Sequence, residues 1–311
     1  MKNFQPAYLA LLENGELEKR VKLAFEHLEN CDLCARTCHV NRQESVQGAA
    51  CRTGEKAVVH SFGPHHGEED PLRGRRGSGT IFFSWCNLQC SYCQNWEISH
   101  KGIGREVEPE ELAEMMLNLQ ERGCHNINFV SPSHVVAQIL AGVLIAAGKG
   151  LRLPIIYNTG GYDSMEALAL LDGVVDIYMP DMKYGDSAIA RKYSRIRDYW
   201  AINQAAIHEM YRQVGDLVVD EQGLATRGLQ VRHLVLPNNL ANSEKVITFL
   251  AEEISKGTYL NIMAQYHPAY QAHKTPQLNR RITAKEYEEA IMLAKEYGLR
   301  RYIHRKGMQS I

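Results

Sequence analysis

The stretch Thr80-Ile81-Phe82-Phe83-Ser84-Trp85-Cys86-Asn87-Leu88-Gln89-Cys90-Ser91-Tyr92-Cys93 decides how the chain is read. It joins an apolar, strand-like run to three cysteines with gaps of three and two residues. A cubane [4Fe–4S] cluster needs a ligand on every iron, and thiolates are the usual choice. Three thiolates from one loop leave one iron open, and an open metal position is where chemistry can occur, as at catalytic zinc. The plain alternatives are a zinc site short of one ligand, or buried thiols. Zinc sites more often pair Cys-x-x-Cys units across a gap. Here the first gap is three residues and no fourth ligand is near.

From Thr80 onward the pattern alternates between strand and helix. The candidate strands are Thr80–Trp85, Asn126–Ser131, Pro154–Asn158, Val174–Met179, Gln230–Leu236 and Tyr259–Ala264. Helical stretches are expected at Pro109–Arg122, His134–Gly148, Ser164–Leu171, Ser187–Arg212, Ser243–Ser255 and Thr283–Tyr297. Pro109 followed by Glu110 and Glu111 makes a good helix start, and Thr283 with Glu286 reads as a capping box. Most strands are continuous apolar runs, as expected when both faces are covered. Such alternation predicts a parallel sheet with right-handed crossovers, and six units predict an α/β fold with an incomplete (β/α)6 barrel. Leu217–Val219, a turn at Asp220–Gly223 and the strand from Gln230 read as an inserted hairpin.

The first thirty residues read as helix, with Leu17, Val21, Ala24, Phe25 and Leu28 at helical spacing. A turn-rich stretch follows, carrying Cys31, Cys34, Cys38 and Cys51. Four thiolates can close a structural zinc site or ligate a [4Fe–4S] cluster completely. Spacing does not separate the two, and His39 is a spare ligand. Free buried thiols are the bland reading. The chain is divided accordingly into residues 1–78, helix plus four-cysteine metal-binding subdomain and connector, and 79–311, the barrel with its C-terminal helix.

The chain has 311 residues, 45% of them hydrophobic, and a formal net charge of -1. That balance argues against a general nucleic-acid or membrane-surface binder. The most apolar stretch, Val135 to Ala147, is shorter than the roughly 20 residues that span a bilayer. The N-terminus lacks a signal-peptide core, so a cytoplasmic protein is expected. In that compartment eight cysteines favour metal ligation over disulfides. Cys124, alone before a strand, reads as a buried structural thiol.

Active sites of α/β barrels collect at the C-terminal ends of the strands. Polar residues stand at each expected end: Ser131-Pro132-Ser133-His134, Asn158-Thr159-Gly160, Asp181 with Lys183, Leu236-Pro237-Asn238, and Gln265-Tyr266-His267. The plain reading of Asp181 and Lys183 is a surface pair.

The cysteine spacing, with Tyr92 before the third cysteine, resembles the signature of the radical S-adenosylmethionine (SAM) superfamily. Cys31-Asp32-Leu33-Cys34, Gly77-Ser78-Gly79-Thr80, Tyr92-Cys93-Gln94-Asn95, Met179-Pro180-Asp181-Met182-Lys183 and Tyr266-His267 further resemble the pyruvate formate-lyase-activating-enzyme-like (PflX-type) branch. The resemblance implies a [4Fe–4S] cluster on Cys86, Cys90 and Cys93, with SAM chelated to the open iron. It implies reductive cleavage of SAM to a 5′-deoxyadenosyl radical that abstracts hydrogen, with a flavodoxin or ferredoxin-type electron donor. The substrate would be a glycyl radical enzyme or a small molecule. A non-catalytic electron-transfer or sensor protein is the rival reading. Carried over residue by residue, Tyr92, Asn95, Ser131, Ser133, His134, Asn158, Asp181, Lys183, Leu236 and His267 would line the SAM site, with Lys183 and His267 also catalytic. The chain departs from the superfamily in having Ser131-Pro132-Ser133-His134 in place of a Gly-Gly-Glu turn, and Asn158 where related activases carry an Asp beside a monovalent cation.

Arg73, Arg75 and Arg76 read first as a solvated basic run, and second as a dock for an acidic electron donor. His267, Tyr270, His273 and Lys274 form a loop expected to close over the barrel mouth.

Overall fold

A computed structural model of the chain describes residues 4–303. One ten-stranded sheet organises it: β1 (Ala57–His65), β2 (Ser78–Phe83), β3 (Arg105–Val107), β4 (Ile127–Val130), β5 (Ile155–Thr159), β6 (Ile177–Pro180), β7 (Val218–Val219), β8 (Ala225–Leu234), β9 (Tyr259–Met263) and β10 (Arg301–Ile303). The order is β10-β9-β8-β6-β5-β4-β2-β1-β3, with β7 paired to β8. β2, β4, β5, β6, β8, β9 and β10 run parallel. β1 and β3 are antiparallel additions at one end. The strands expected from the alternation are β2, β4, β5, β6, β8 and β9, in that spatial order. The result is an α/β fold with an open, mostly parallel barrel.

The two faces of the sheet differ sharply, because side chains alternate along a strand. Ile127, Phe129, Ile155, Tyr157, Tyr178, Leu229, Val231 and Leu260 point into the main core under the helices. Ile156, Ile177 and Met179 point the other way and form a small separate cluster with Leu72, Leu217 and Ala225, against which Tyr259 packs. That cluster fills the face of the sheet turned away from the main core. Leu72 reaches it from the short helix Asp70–Arg73, which follows β1.

Several elements depart from the sequence reading. The first thirty residues form two helices, Tyr8–Glu13 and Glu16–Glu26, because Gly15 at φ 74° turns the chain between them. The stretch expected as one helix over Ser187–Arg212 is broken into Ser187–Ser194 and Tyr199–Val214, with Arg195 and Asp198 left-handed at φ 55° and 50°. In a continuous helix the Ser194 carbonyl would face residue 198. Here it faces the cysteine loop and accepts from Gln89 N at 3.1 Å. The inserted hairpin is present, but its second strand begins at Ala225 rather than Gln230. β1 lies in the stretch read as turn-rich connector, and β10 was not anticipated. The helices Pro109–Glu121 and Ala284–Glu296 start as expected, each with a capping box.

Candidate active site

The cysteine loop leaves the C-terminal end of β2 through Trp85, which is left-handed at φ 66°. Three main-chain bonds pin it to the barrel rim. Gln89 N donates to Ser194 O at 3.1 Å, Ser91 N to Tyr193 O at 2.7 Å, and Gln271 N to Ser91 O at 2.9 Å. The thiols share the interior of this loop. Burial pushes Cys86 up to about 12, with Cys90 and Cys93 adding to the shift while Leu88 N and Lys183 oppose it. Burial likewise pushes Cys90 up to about 11, against the pull of Lys183. A neutral thiol is favoured in such a site until a cation takes the proton's place. Hydroxyls stand against two of the sulfurs: Ser194 Oγ at 2.9 Å from Cys90 Sγ, and Ser99 Oγ at 3.2 Å from Cys93 Sγ. Three convergent thiols backed by a lysine fit a [4Fe–4S] cluster with one iron left to an outside ligand.

Tyr92 is buried and donates to Tyr184 Oη at 2.6 Å. Tyr184 and Ser194 hydroxyls lie 2.7 Å apart, so the contact runs from Tyr92 to Cys90. Asn95 is exposed at the start of the helix Trp96–Lys101. His267 is also exposed, but its Nδ1 lies 3.2 Å from Gln94 Nε2 on the cysteine loop. Farther along its loop, Tyr270 stacks on Trp96 at 5.3 Å and meets His100 at 4.6 Å, against the helix that follows the cysteines.

The β5 and β6 ends carry a charged network. Lys183 Nζ bonds Asp181 Oδ2 at 2.6 Å, and Arg232 Nε bonds Asp181 Oδ1 at 3.2 Å. Burial works against both partners' charges. Lys183 and Arg232 nonetheless hold Asp181 below the usual carboxylate range, and Asp181 with Cys90 hold Lys183 above its ordinary value. The pair is therefore ionised and half-buried, with 21% of the Lys183 and 13% of the Asp181 side chain exposed. Arg232 Nη2 also donates to Asn158 Oδ1 at 2.7 Å.

The loop after β4 is built differently. Ser131 is left-handed at φ 58°. Ser133 Oγ lies 2.9 Å from Thr159 Oγ1, which donates to buried Asp163. His134 is buried, with Nε2 3.0 Å from the Ser84 carbonyl. Burial, reinforced by the Arg42 cation, pulls it down to about 3, so it is neutral. Leu236 is buried beside the turn Pro237–Asn239, where Asn238 is left-handed at φ 59°.

Cys31, Cys34, Cys38 and Cys51 lie in an irregular segment knotted by local bonds, such as Cys31 N to Val40 O and His39 N to Cys31 O, both 3.0 Å. Burial raises the Cys34 thiol, and Cys51, Cys31 and Cys38 raise it further, so the four sulfurs act on one another. Among the described residues, neither this quartet nor the three thiols of the barrel loop is gathered into a single-ion site. Two arginines tie the knot to the barrel. Arg36 Nε donates to Asn87 O in the cysteine loop at 2.7 Å. Buried Arg42 donates to the carbonyls of Thr53 at 2.7 Å, Gly54 at 3.2 Å and His134 at 2.8 Å, and to Cys31 Sγ at 3.4 Å.

Arg36, Arg42, Ser194 and Arg232 were not singled out from sequence. Arg232 had a signal: an arginine inside a largely buried strand needs a partner. Arg73, of the basic run, pairs with Asp70, while Arg75 and Arg76 are exposed. Cys124 is buried. No helix among the described residues is long and apolar enough to cross a membrane.

A strand-end cysteine loop on an open parallel barrel is the arrangement of a SAM-dependent radical enzyme. The chain belongs to the radical SAM superfamily, whose domain it matches over residues 80–220. It is 30% identical over 305 residues to the uncharacterized protein MJ0674 of Methanocaldococcus jannaschii, covering 96% of this chain and 83% of that protein. In fold it is similar to the FeFe-hydrogenase maturase HydG from Carboxydothermus hydrogenoformans, with a TM-score of 0.50 and 13% identity over 71% of this chain. The chain spans about half of that enzyme's length, 51%. Methylornithine synthase (PylB) aligns with 93% of this chain and 74% of its own, at 14% identity and a TM-score of 0.48.

Proposed function

We propose that the chain is a hydrogen-abstracting enzyme of the pyruvate formate-lyase-activating-enzyme-like type, acting on a substrate held in the barrel lumen. When bound, a reduced [4Fe–4S] cluster and SAM supply a 5′-deoxyadenosyl radical. Cys86, Cys90 and Cys93 hold the cluster, and Ser194 and Ser99 orient two of the sulfurs. The observation that carries this reading is the Lys183 ammonium, half-buried against Asp181 and close enough to act on Cys86 and Cys90. It is placed to hold the SAM carboxylate through a charge-assisted bond. Asn158, Asp181, Ser131, Ser133, His134, Leu236 and Asn95 shape the rest of that site, Tyr92 stiffens its loop from below, and His267 guards its rim.

Four cysteine sulfurs acting on one another support a metal centre in residues 1–78, and the likeness to iron–sulfur enzymes favours a second [4Fe–4S] cluster over zinc, beside the barrel domain of 79–311, to which β1 adds a strand. A flavodoxin or ferredoxin in the cytoplasm would be the electron donor, with exposed Arg75 and Arg76 as a docking patch for its acidic surface. Because Arg36 of the four-cysteine knot lies directly on Asn87, a small molecule suits the mouth better than an entering glycine loop. Anaerobic reconstitution followed by EPR tests the core of this reading. The expected result is a reduced-cluster signal that changes on adding SAM; a spectrum indifferent to SAM would rule out an open iron.

A further inference from the structure

The cysteine loop also has an outer side, and four arginines gather on it. Arg36 Nε donates to Asn87 O at 2.7 Å and its Nη1 to Arg195 O at 2.8 Å. The Arg52 guanidinium lies 5.2 Å from the centre of the Trp85 ring. The Arg197 carbonyl accepts from Tyr162 Oη at 2.9 Å, and the Tyr162 carbonyl accepts from Asn87 Nδ2 at 2.7 Å. Trp85 and Asn87 flank Cys86 in the sequence. Each arginine is thereby anchored, directly or through one residue, to a neighbour of that cysteine.

Arg52, Arg195 and Arg197 are exposed, and among the described residues neither they nor Arg36 meet a carboxylate. Arg73, Arg105 and Arg212, by contrast, each have one. On the same turns, Glu97 is taken by Lys101 at 3.4 Å, which leaves Asp198 as the carboxylate set against four cations. The whole chain carries a net charge of -1, so the local excess does not follow from composition. Short contacts run from the third cysteine to this patch. Cys93 Sγ lies 3.2 Å from Ser99 Oγ, and Ser99 Oγ lies 2.8 Å from His100 Nδ1. Burial lowers the half-buried His100 ring below its ordinary value, and Arg195 and Arg52 lower it further, so both guanidinium groups stand near it.

We infer that Arg52, Arg195 and Arg197 form the landing surface of an acidic electron-carrier protein, which delivers its electron at the Cys93 side of the loop. Charge complementarity selects the partner: a carboxylate-rich surface fits unpaired guanidinium groups, and the attraction speeds and orients the encounter. One electron leaves the carrier's reduced flavin, which becomes a semiquinone, and the centre held by Cys86, Cys90 and Cys93 gains it. No bond within the chain forms or breaks. The break between the helices Ser187–Ser194 and Tyr199–Val214 then has a second use, since it leaves two exposed arginines beside the loop. Arg75 and Arg76 precede β2 and lie at the opposite end of that strand from the cysteines, so they attract a carrier only from a distance. This inference deepens the proposed function and rests on it.

A flavodoxin serves as the probe. Its affinity for the reconstituted protein is measured by calorimetry across ionic strength, and its reduced form is mixed with the oxidised protein in anaerobic stopped flow. Binding should weaken as salt rises. The combined Arg52→Glu, Arg195→Glu variant should lose affinity and reduction rate by about tenfold or more, with a flatter salt dependence. Arg75→Glu with Arg76→Glu should lose less. Iron content, and reduction by photoreduced deazaflavin, a small donor that needs no landing surface, separate docking from folding. Should the charge reversal lower iron content, Arg52→Gln with Arg195→Gln reads the same loss without adding carboxylates. Absence of flavodoxin binding, wild-type affinity and rate in the Arg52 and Arg195 variants, a larger loss in the Arg75 and Arg76 variant, or tighter binding of a single-stranded RNA than of flavodoxin would overturn the landing surface. Formation of 5′-deoxyadenosine by the wild-type protein with photoreduced deazaflavin tests the radical reading separately. Its presence without flavodoxin binding removes the surface alone, and its absence removes the reading beneath it.

Discussion

The two cysteine-bearing segments solve opposite problems. The loop of Cys86, Cys90 and Cys93 is pinned from outside by Ser194, Tyr193 and Gln271, at the end of a central strand. Those bonds tie its main chain to the barrel. The segment from Cys31 to Cys51 has no helix or strand and relies on short local bonds, with Thr37 and His39 left-handed, as is Arg52 just beyond it. Its neighbouring cation is an arginine locked to three carbonyls, whereas the barrel loop has a lysine held by one carboxylate. Arginine's planar fork suits a fixed structural contact, while lysine is a mobile point charge suited to a ligand. The contrast suggests a division of labour: one site keeps an open position for chemistry, and the other uses every thiol to hold itself together.

The sharpest way to break that division is to remove the barrel thiols. The combined Cys86→Ala, Cys90→Ala, Cys93→Ala variant should lose 5′-deoxyadenosine formation to background while the other segment keeps its centre. Iron, sulfide and zinc analysis should find about four residual irons. One zinc without iron would assign the quartet to zinc, and neither metal would remove the second centre altogether.

Arg42 comes next in expected effect. Arg42→Met strips a buried cation from three carbonyls and a thiol, and breaking such a network costs about 3 kcal/mol or more. The variant should unfold at lower urea and lose metal from Cys31, Cys34, Cys38 and Cys51 first. Equal metal loss from both segments would mean that they are not separable units.

Lys183→Ala should retain full iron yet slow 5′-deoxyadenosine formation about tenfold, as expected when a charge-assisted bond of roughly 1.5–3 kcal/mol is lost. His267→Ala should fall less, because its contact with Gln94 is exposed. Measured per cluster with dithionite as donor, wild-type turnover in Lys183→Ala would return that residue to a purely structural pairing with Asp181.

Much of this comparison was legible in the sequence, because cysteine spacing and strand–helix alternation are local patterns. The strand ends brought Asn158, Asp181 and Lys183 into one region without any contact information. The network that joins them was not legible. Arg232 meets Asp181 and Asn158 from residues 51 and 74 positions away, and nothing local marks such a pairing. Glu68 and Glu69 followed a glycine in a stretch read as connector, and their bonds to Asn128, Arg232 and Asn261 come from strands far away in the sequence. The break at Arg195–Asp198 was hidden for the same reason: the Ser194 carbonyl serves a loop more than a hundred positions earlier, and local propensity says nothing of that.

The smallest effect concerns the joint between the two segments. His134 receives the Arg42 guanidinium on its carbonyl and reaches Ser84, two residues before Cys86, through its ring. Its buried ring titrates near about 3, against about 6.5 in an unfolded chain. The unfolded state therefore binds the extra proton throughout the window between those values. The stability that His134 contributes is complete above about pH 6.5 and is lost as pH falls toward 3. Between pH 8 and 5.5 the loss should be about 1.4 kcal/mol, one pH unit below the unfolded value. His134→Gln can keep a donor for the Ser84 carbonyl but cannot titrate. Urea midpoints of the two proteins at pH 8 and 5.5 isolate the difference. A wild-type midpoint that falls with pH no more steeply than that of His134→Gln would show that the ring is hydrated, and that the joint between the cysteine segments is looser than its contacts imply.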